Sequence, residues 1–171
     1  LSAQAALAAP ACIEARRKVD EAVADTGTRR LAEPDARFAE LVGPDEARGV
    51  ARVAVETAIA DLSQPAVDAY DVYLRLHLLS HRLVKPHGLS LAGIFPLLPN
   101  VAWTSQGAVD LGELAERQLE ARLKGELLEV FSVDKFPKMT DYVVPAGVRI
   151  ADTARVRLGA YVGEGTTVMH E

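Results

Sequence analysis

The sequence predicts an α/β domain over residues 1–142 followed, over residues 143–171, by the first coils of a parallel β-helix. Three observations carry that reading. Helical periodicity is strong over residues 66–84 and returns over 110–124, short β-prone runs are interleaved with it, and after Tyr142 the helical period gives way to an apolar residue at every sixth position. A chain of 171 residues makes one domain or slightly more, which is enough to bury a core.

Composition narrows the class. Hydrophobic residues at 49% and charged residues at 25% are globular values, which excludes disordered and fibrous chains. The 19 Lys and Arg against 24 Asp and Glu give a net charge of −5, spread along the chain. That distribution offers no footprint for nucleic acid or an anionic membrane. No stretch approaches the roughly 18 uninterrupted apolar residues of a membrane span. The lone Cys12 excludes an internal disulfide and fits a reducing cytoplasm, and no nearby base argues for an activated thiolate. Leu1 to Ala11 lack the basic start and compact apolar run of a signal peptide. The chain starts without methionine and stops inside a running pattern, so it reads as a fragment.

Along the chain, Ile13, Val19 and Val23 among charged residues predict an amphipathic helix ending near Gly27. A second helix is expected from Asp45 to Leu62, capped by Asp45, with Val50, Val53, Ala54, Ala58 and Ile59 at helical spacing. Ala66 to Val84 predicts a third, on Tyr70, Tyr73, Leu74, His77, Leu78 and His81, stopped by Lys85 and Pro86. Residues 88–100 hold two glycines and two prolines among apolar residues and read as a buried irregular connection. Val101–Thr104 is a short strand. Asp110 is expected to cap a helix that runs to Lys124 and is closed by Gly125, with Leu111, Leu114, Ala115, Gln118 and Leu123 on its stripes. Leu127–Val133 reads as a half-buried strand.

After Tyr142, Val144, Ile150, Val156, Val162 and Val168 recur every six residues, each expected to point inward. Val148, Ala154, Ala160 and Thr166 follow each at modest size, and Gly147, Gly159, Gly163 and Gly165 fall where the chain must turn. This is a hexapeptide repeat; the plainer alternative is a set of hairpins joined by glycine turns. A coil takes about 18 residues and a solenoid about three repeats, so the segment supplies roughly one and a half coils and an unpaired edge. It is expected to pack against material beyond the chain.

Three strings in this chain resemble one enzyme family: YDVYLRLHLLSHRLVKPHGL (70–89), GIFPLLPNVAWT (93–104) and the run from Leu127 to Glu171. They are similar to the pseudomonad branch of the tetrahydrodipicolinate N-succinyltransferases and, more distantly, to actinobacterial members. The resemblance covers residues 70–171, as the N-terminal half of such an enzyme, and matches 1–66 poorly. It implies a cytoplasmic homotrimer in lysine and diaminopimelate biosynthesis, with an α/β domain, a left-handed β-helix and a small C-terminal domain. Such enzymes carry succinyl from succinyl-CoA, as co-substrate, to the amine of ring-opened 2-amino-6-oxopimelate. The resemblance places the catalytic acid and the CoA-binding segments in later coils, so no catalytic or cofactor-binding residue falls within 1–171. Some members hold a divalent cation, magnesium for instance, on the trimer axis through the glutamate of a Met-His-Glu string and an Asp of the preceding coil. Met169–His170–Glu171 matches the string, which makes Glu171 the candidate metal ligand, while Ala154 stands at the Asp position.

Other chemistry-bearing residues read more simply. His77 and His81 have zinc-chelating spacing, but no Glu follows His77 and the face is leucine-rich, which favours structural histidines. His87 reads as a loop residue. His170 lies on a coil wall, where γ-class carbonic anhydrases bind zinc, yet those chains lack so long a leading domain. Lys135 and Lys138 could meet an acidic ligand or sit in a solvated linker. Trp103 reads as a core anchor.

Two other functions compete. A serine O-acetyltransferase also leads into a left-handed β-helix, but through an all-helical domain. The third reading is a non-catalytic oligomerisation module, which would require the natural gene to stop at Glu171.

Overall fold

The computed structural model describes residues 2–5, 25–34 and 36–171. The helix expected on Ile13, Val19 and Val23, and Cys12, lie outside the described residues. Strands β1 (Ser2–Ala5), β2 (Gly27–Arg30) and β5 (Val55–Ala58) form an antiparallel sheet in the order β1-β5-β2. Between β2 and β5 lie a four-residue helix α1 (Ala36–Ala39) and a hairpin of β3 (Gly43–Asp45) and β4 (Val50–Arg52).

The helix expected from Asp45 to Leu62 is therefore absent. Val55, Thr57 and Ile59 are buried alternately with half-covered Glu56 and Ala58, a period of two that outweighs the looser helical spacing. Asp45 holds the hairpin turn instead of a helix start: its carboxylate accepts the Arg48 backbone N–H and Nε, and Gly49 reverses the chain at φ +66°.

Helix α2 (Ala69–Ser80) is the centre of the molecule. Asp68 caps it by accepting the Asp71 N–H at 2.8 Å. It ends earlier than the expected Lys85, because Leu83 and Arg82 donate back to the Leu78 and Leu79 carbonyls and close the last turn. One side of α2 packs Leu74, Leu78 and Leu79 against Ile59 and Leu89. The other packs Val72 and Leu76 against Ile94, Leu98 and Leu158. The connection over 88–100 contains a short helix α3 (Ile94–Leu97) and is only partly buried: Leu89, Ile94 and Leu98 are inside while Phe95 is exposed.

The second antiparallel sheet has the order β7-β6-β8, from β6 (Val101–Thr104), β7 (Gly107–Asp110) and β8 (Val130–Asp134). The first of these coincides with its expected span. Asp110 ends β7 and caps only a turn, through Gly112 N–H and Glu113 N–H, so helix α4 (Leu114–Leu123) begins later. Gly125, at φ +77°, follows its end. The expected apolar stripe of α4 does not form a core: Leu111, Ala115 and Leu123 are exposed, Leu114 and Gln118 are half-buried, and only Ala121, off that stripe, is buried in the helix. In the strand expected at 127–133, Leu128 is buried, while Leu127, Val130, Phe131 and Val133 are exposed.

Beyond Tyr142, regular strand is limited to β9 (Arg149–Ile150) and β10 (Thr167–Val168). These pair in parallel with Arg149 opposite Thr167 and Ile150 opposite Val168, an offset of 18 residues. Val156 and Val162 are buried with Met139, and Ile150 and Val168 pack against that cluster. Val144 departs from the series at 66% exposure. Pro145 holds the preceding residue extended, so side chains alternate, and Val143 and Pro145 turn inward in its place.

Candidate functional site

The C-terminal segment docks onto the end of α2 where Leu158 packs on Leu76 and Ser80 bonds to Gly159 and Ala160. Nearer its start, α2 holds a buried ion pair. The Asp71 carboxylate accepts Arg75 Nε at 2.7 Å and the Val67 N–H at 3.0 Å, with both side chains fully buried. Arg75 Nη1 then donates to the carbonyls of Leu62, Gln64 and Ser90, binding the segments on either side of α2 to the helix. Asp and Arg four apart on a helix is a legible signal, but its burial is not.

His77 sits one turn further on, 2% exposed, with neither ring nitrogen hydrogen-bonded among the described residues. Its ring stacks on His81 at 5.7 Å and meets the edge of Tyr142 at 5.5 Å. Burial, with a smaller contribution from His81, depresses the His77 pKa to about 3. Burial lowers His81 as well. Burial raises Tyr73 to about 12 and pushes Tyr142 up in the same direction. Such a neutral, desolvated histidine packs as an aromatic. Among the described residues, no three His, Cys, Asp or Glu side chains come together as a metal site.

The remaining candidates are occupied or solvated. Lys135 Nζ donates to the Leu98 carbonyl, and the Lys135 carbonyl accepts Tyr73 Oη at 3.0 Å. Lys138 pairs with Asp141 at 3.3 Å and lies over the Phe131 ring. Trp103 Nε1 donates to the Asp134 carbonyl, which anchors β6 to the end of β8. His87 turns at φ +65° in the exposed turn after Pro86. Glu171 is 90% exposed on its side chain and pairs with His170 Nε2 at 3.4 Å. Ala154 is exposed in a 3₁₀ turn, its N–H donating to the Asp152 carboxylate.

Residues 98–138, from Leu98 through the second sheet to Lys138, match the family model described as tetrahydrodipicolinate N-succinyltransferase, middle. The chain is 68% identical over 156 residues to a Pseudomonas putida 2,3,4,5-tetrahydropyridine-2,6-dicarboxylate N-succinyltransferase, covering 85% of this chain and 45% of that one. This chain belongs to the tetrahydrodipicolinate N-succinyltransferase family. The Pseudomonas aeruginosa enzyme of the same description is 80% identical over 117 residues, 68% of this chain and 34% of that one. A Salinispora tropica relative is 54% identical over 130 residues, 76% of this chain and 41% of the relative. A crystal structure from Campylobacter jejuni, described as a 2,3,4,5-tetrahydropyridine-2-carboxylate N-succinyltransferase, superposes with a TM-score of 0.61 at 29% identity. That superposition covers 70% of this chain and 31% of the other. The chain thus spans less than half the length of the curated relatives it matches. The P. putida match also extends well into residues 1–66, further than the quoted strings reach.

Proposed function

We infer that the full-length protein moves succinyl from succinyl-CoA to tetrahydrodipicolinate, in its ring-opened 2-amino-6-oxopimelate form, in lysine biosynthesis. The amine nitrogen attacks the thioester carbonyl, the C–N bond forms as the C–S bond breaks, CoA leaves as the thiol, and the nitrogen loses a proton. Holding the two reactants together and placing donors at the developing oxyanion supply the acceleration. Those groups belong to coils beyond residue 171. The observation that carries this reading is the 68% identity to the P. putida enzyme across 85% of the chain.

In the same reading the protein is a cytoplasmic homotrimer whose small-molecule substrates bind between neighbouring left-handed β-helices. Residues 1–142 form the leading α/β domain and 143–171 open the solenoid. The 18-residue parallel offset between β9 and β10 supports this, because three hexapeptides make one coil of that length. No helix among the described residues is long and apolar enough to cross a membrane. The sheet of β6, β7 and β8 stands against the all-helical leading domain of the serine O-acetyltransferase alternative.

Glu171 offers one carboxylate per chain toward a cation on the trimer axis, and Ala154 adds no donor. That falls short of the about six oxygen ligands a hard cation takes, and no step of the reaction is routed through a metal. The test is thiol release from succinyl-CoA in the presence of tetrahydrodipicolinate. Full-length protein should turn over and the 171-residue chain should not. Turnover by the short chain would place catalytic groups within it, and a natural gene ending at Glu171 would leave the non-catalytic module.

A further inference from the structure

Arg82 occupies a position where glycine is the ordinary residue. It is the first residue past the cap of α2, in the left-handed conformation at φ +59°, with its N–H on the Leu79 carbonyl and the Leu83 N–H on that of Leu78. A side chain there is disfavoured, so its retention calls for a compensating contact. The contact is present. Arg82 Nε donates to the Val162 carbonyl at 2.7 Å and Nη2 to the Ala146 carbonyl at 3.0 Å. Among the described residues no carboxylate pairs with this guanidinium, so two carbonyl dipoles are its partners.

Those carbonyls lie near the two ends of the first coil. Between them, Ser80 Oγ accepts the Gly159 N–H at 2.9 Å and donates to the Ala160 carbonyl at 3.1 Å. The backbone at Gly159 approaches α2 so closely, at φ +101°, that an added Cβ would stand 2.6 Å from Leu76 Cδ2. The first coil of a solenoid has no preceding coil to satisfy its polar backbone, and here the last turn of α2 does so. We propose that Arg82 is a clamp that closes the first coil against α2, holding its entry at Ala146 and its far side at Val162 in one register. A lysine ammonium is a point donor and lacks the planar fork that spans two acceptors in fixed geometry. This role rests on the reading of residues 143–171 as the opening coil of a solenoid and not on succinyl transfer.

Amide hydrogen exchange on full-length R82G and R82K proteins tests it. Glycine suits the backbone at this position, so a residue that merely ended the helix would leave R82G as protected as wild type or more so. The clamp requires the opposite sign. Exchange at Arg149 and Ala151, whose N–H groups bond to the Thr166 and Val168 carbonyls, should speed up by at least about tenfold in R82G. Amides of β6 should be unchanged. Unchanged or slower exchange in the coil would overturn the proposal, as would an equal acceleration in β6. Should R82G fail to fold, R82K decides: acceleration confined to the coil supports the clamp, and wild-type exchange refutes it.

Discussion

Helices α2 and α4 are built from the same local grammar and end in opposite environments. Each carries an acid and an arginine four residues apart, Asp71 with Arg75 and Glu113 with Arg117. Each shows leucines at helical spacing. Yet nine of the twelve residues of α2 are buried, against one of ten in α4. The difference lies around the circumference. Apolar residues of α2 occupy both sides, so two separate clusters close over it, whereas no cluster closes over α4, which carries four charged residues among its ten and leaves Leu123 78% exposed. The same ion pair therefore has two meanings. In α2 it is a desolvated contact that must be completely satisfied; in α4 it is a surface pair screened by water and salt.

The largest expected effect follows from that contrast. Arg75→Ala leaves the Asp71 carboxylate buried without its partner and should cost about 3–5 kcal/mol in urea unfolding. A loss under about 1 kcal/mol would show that the two helices are energetically alike. Next comes the C-terminal segment docked on α2. Val156→Ala, at a site 5% exposed, should cost about 2 kcal/mol, while Val144→Ala should stay within about 0.5 kcal/mol. Equal costs would mean that the six-residue series begins at Val144 after all.

Acid should act through the same region. The folded His77 pKa of about 3 lies below the ordinary 6.5, so the unfolded chain takes up this proton first. Stability from His77 is complete above about pH 6.5 and declines as pH falls toward 3, with a slope of up to about 1.4 kcal/mol per pH unit. His77→Leu should flatten urea midpoints across that window, and an unchanged slope would assign the acid sensitivity elsewhere. The smallest effects belong to α4. Glu113→Ala and Leu123→Ala should each change stability by no more than about 0.5 kcal/mol in the same unfolding measurement. A larger loss on Leu123→Ala that grew with protein concentration would reveal that a subunit covers the α4 face.

Sequence alone determined what depends on local rules and on long quoted strings. The strand Val101–Thr104, a helix through Tyr73 to Leu79, the glycine after α4 and the six-residue spacing of Ile150, Val156, Val162 and Val168 were all legible, because each follows from a period or a steric preference within a few residues. The family was legible for a different reason, since idiosyncratic strings carry more information than any period. Tertiary structure decided the rest. Residues 45–62 satisfied a helical spacing on paper, but strand pairing with β1 and β2 rewarded the alternation of Val55, Thr57 and Ile59 instead. The reach of the Arg82 side chain to carbonyls more than 60 residues away in sequence was not legible either. The outward turn of Val144 reflects where Val143 and Pro145 find cover. Burial is a property of which surfaces meet, and a local period specifies a face without specifying what covers it.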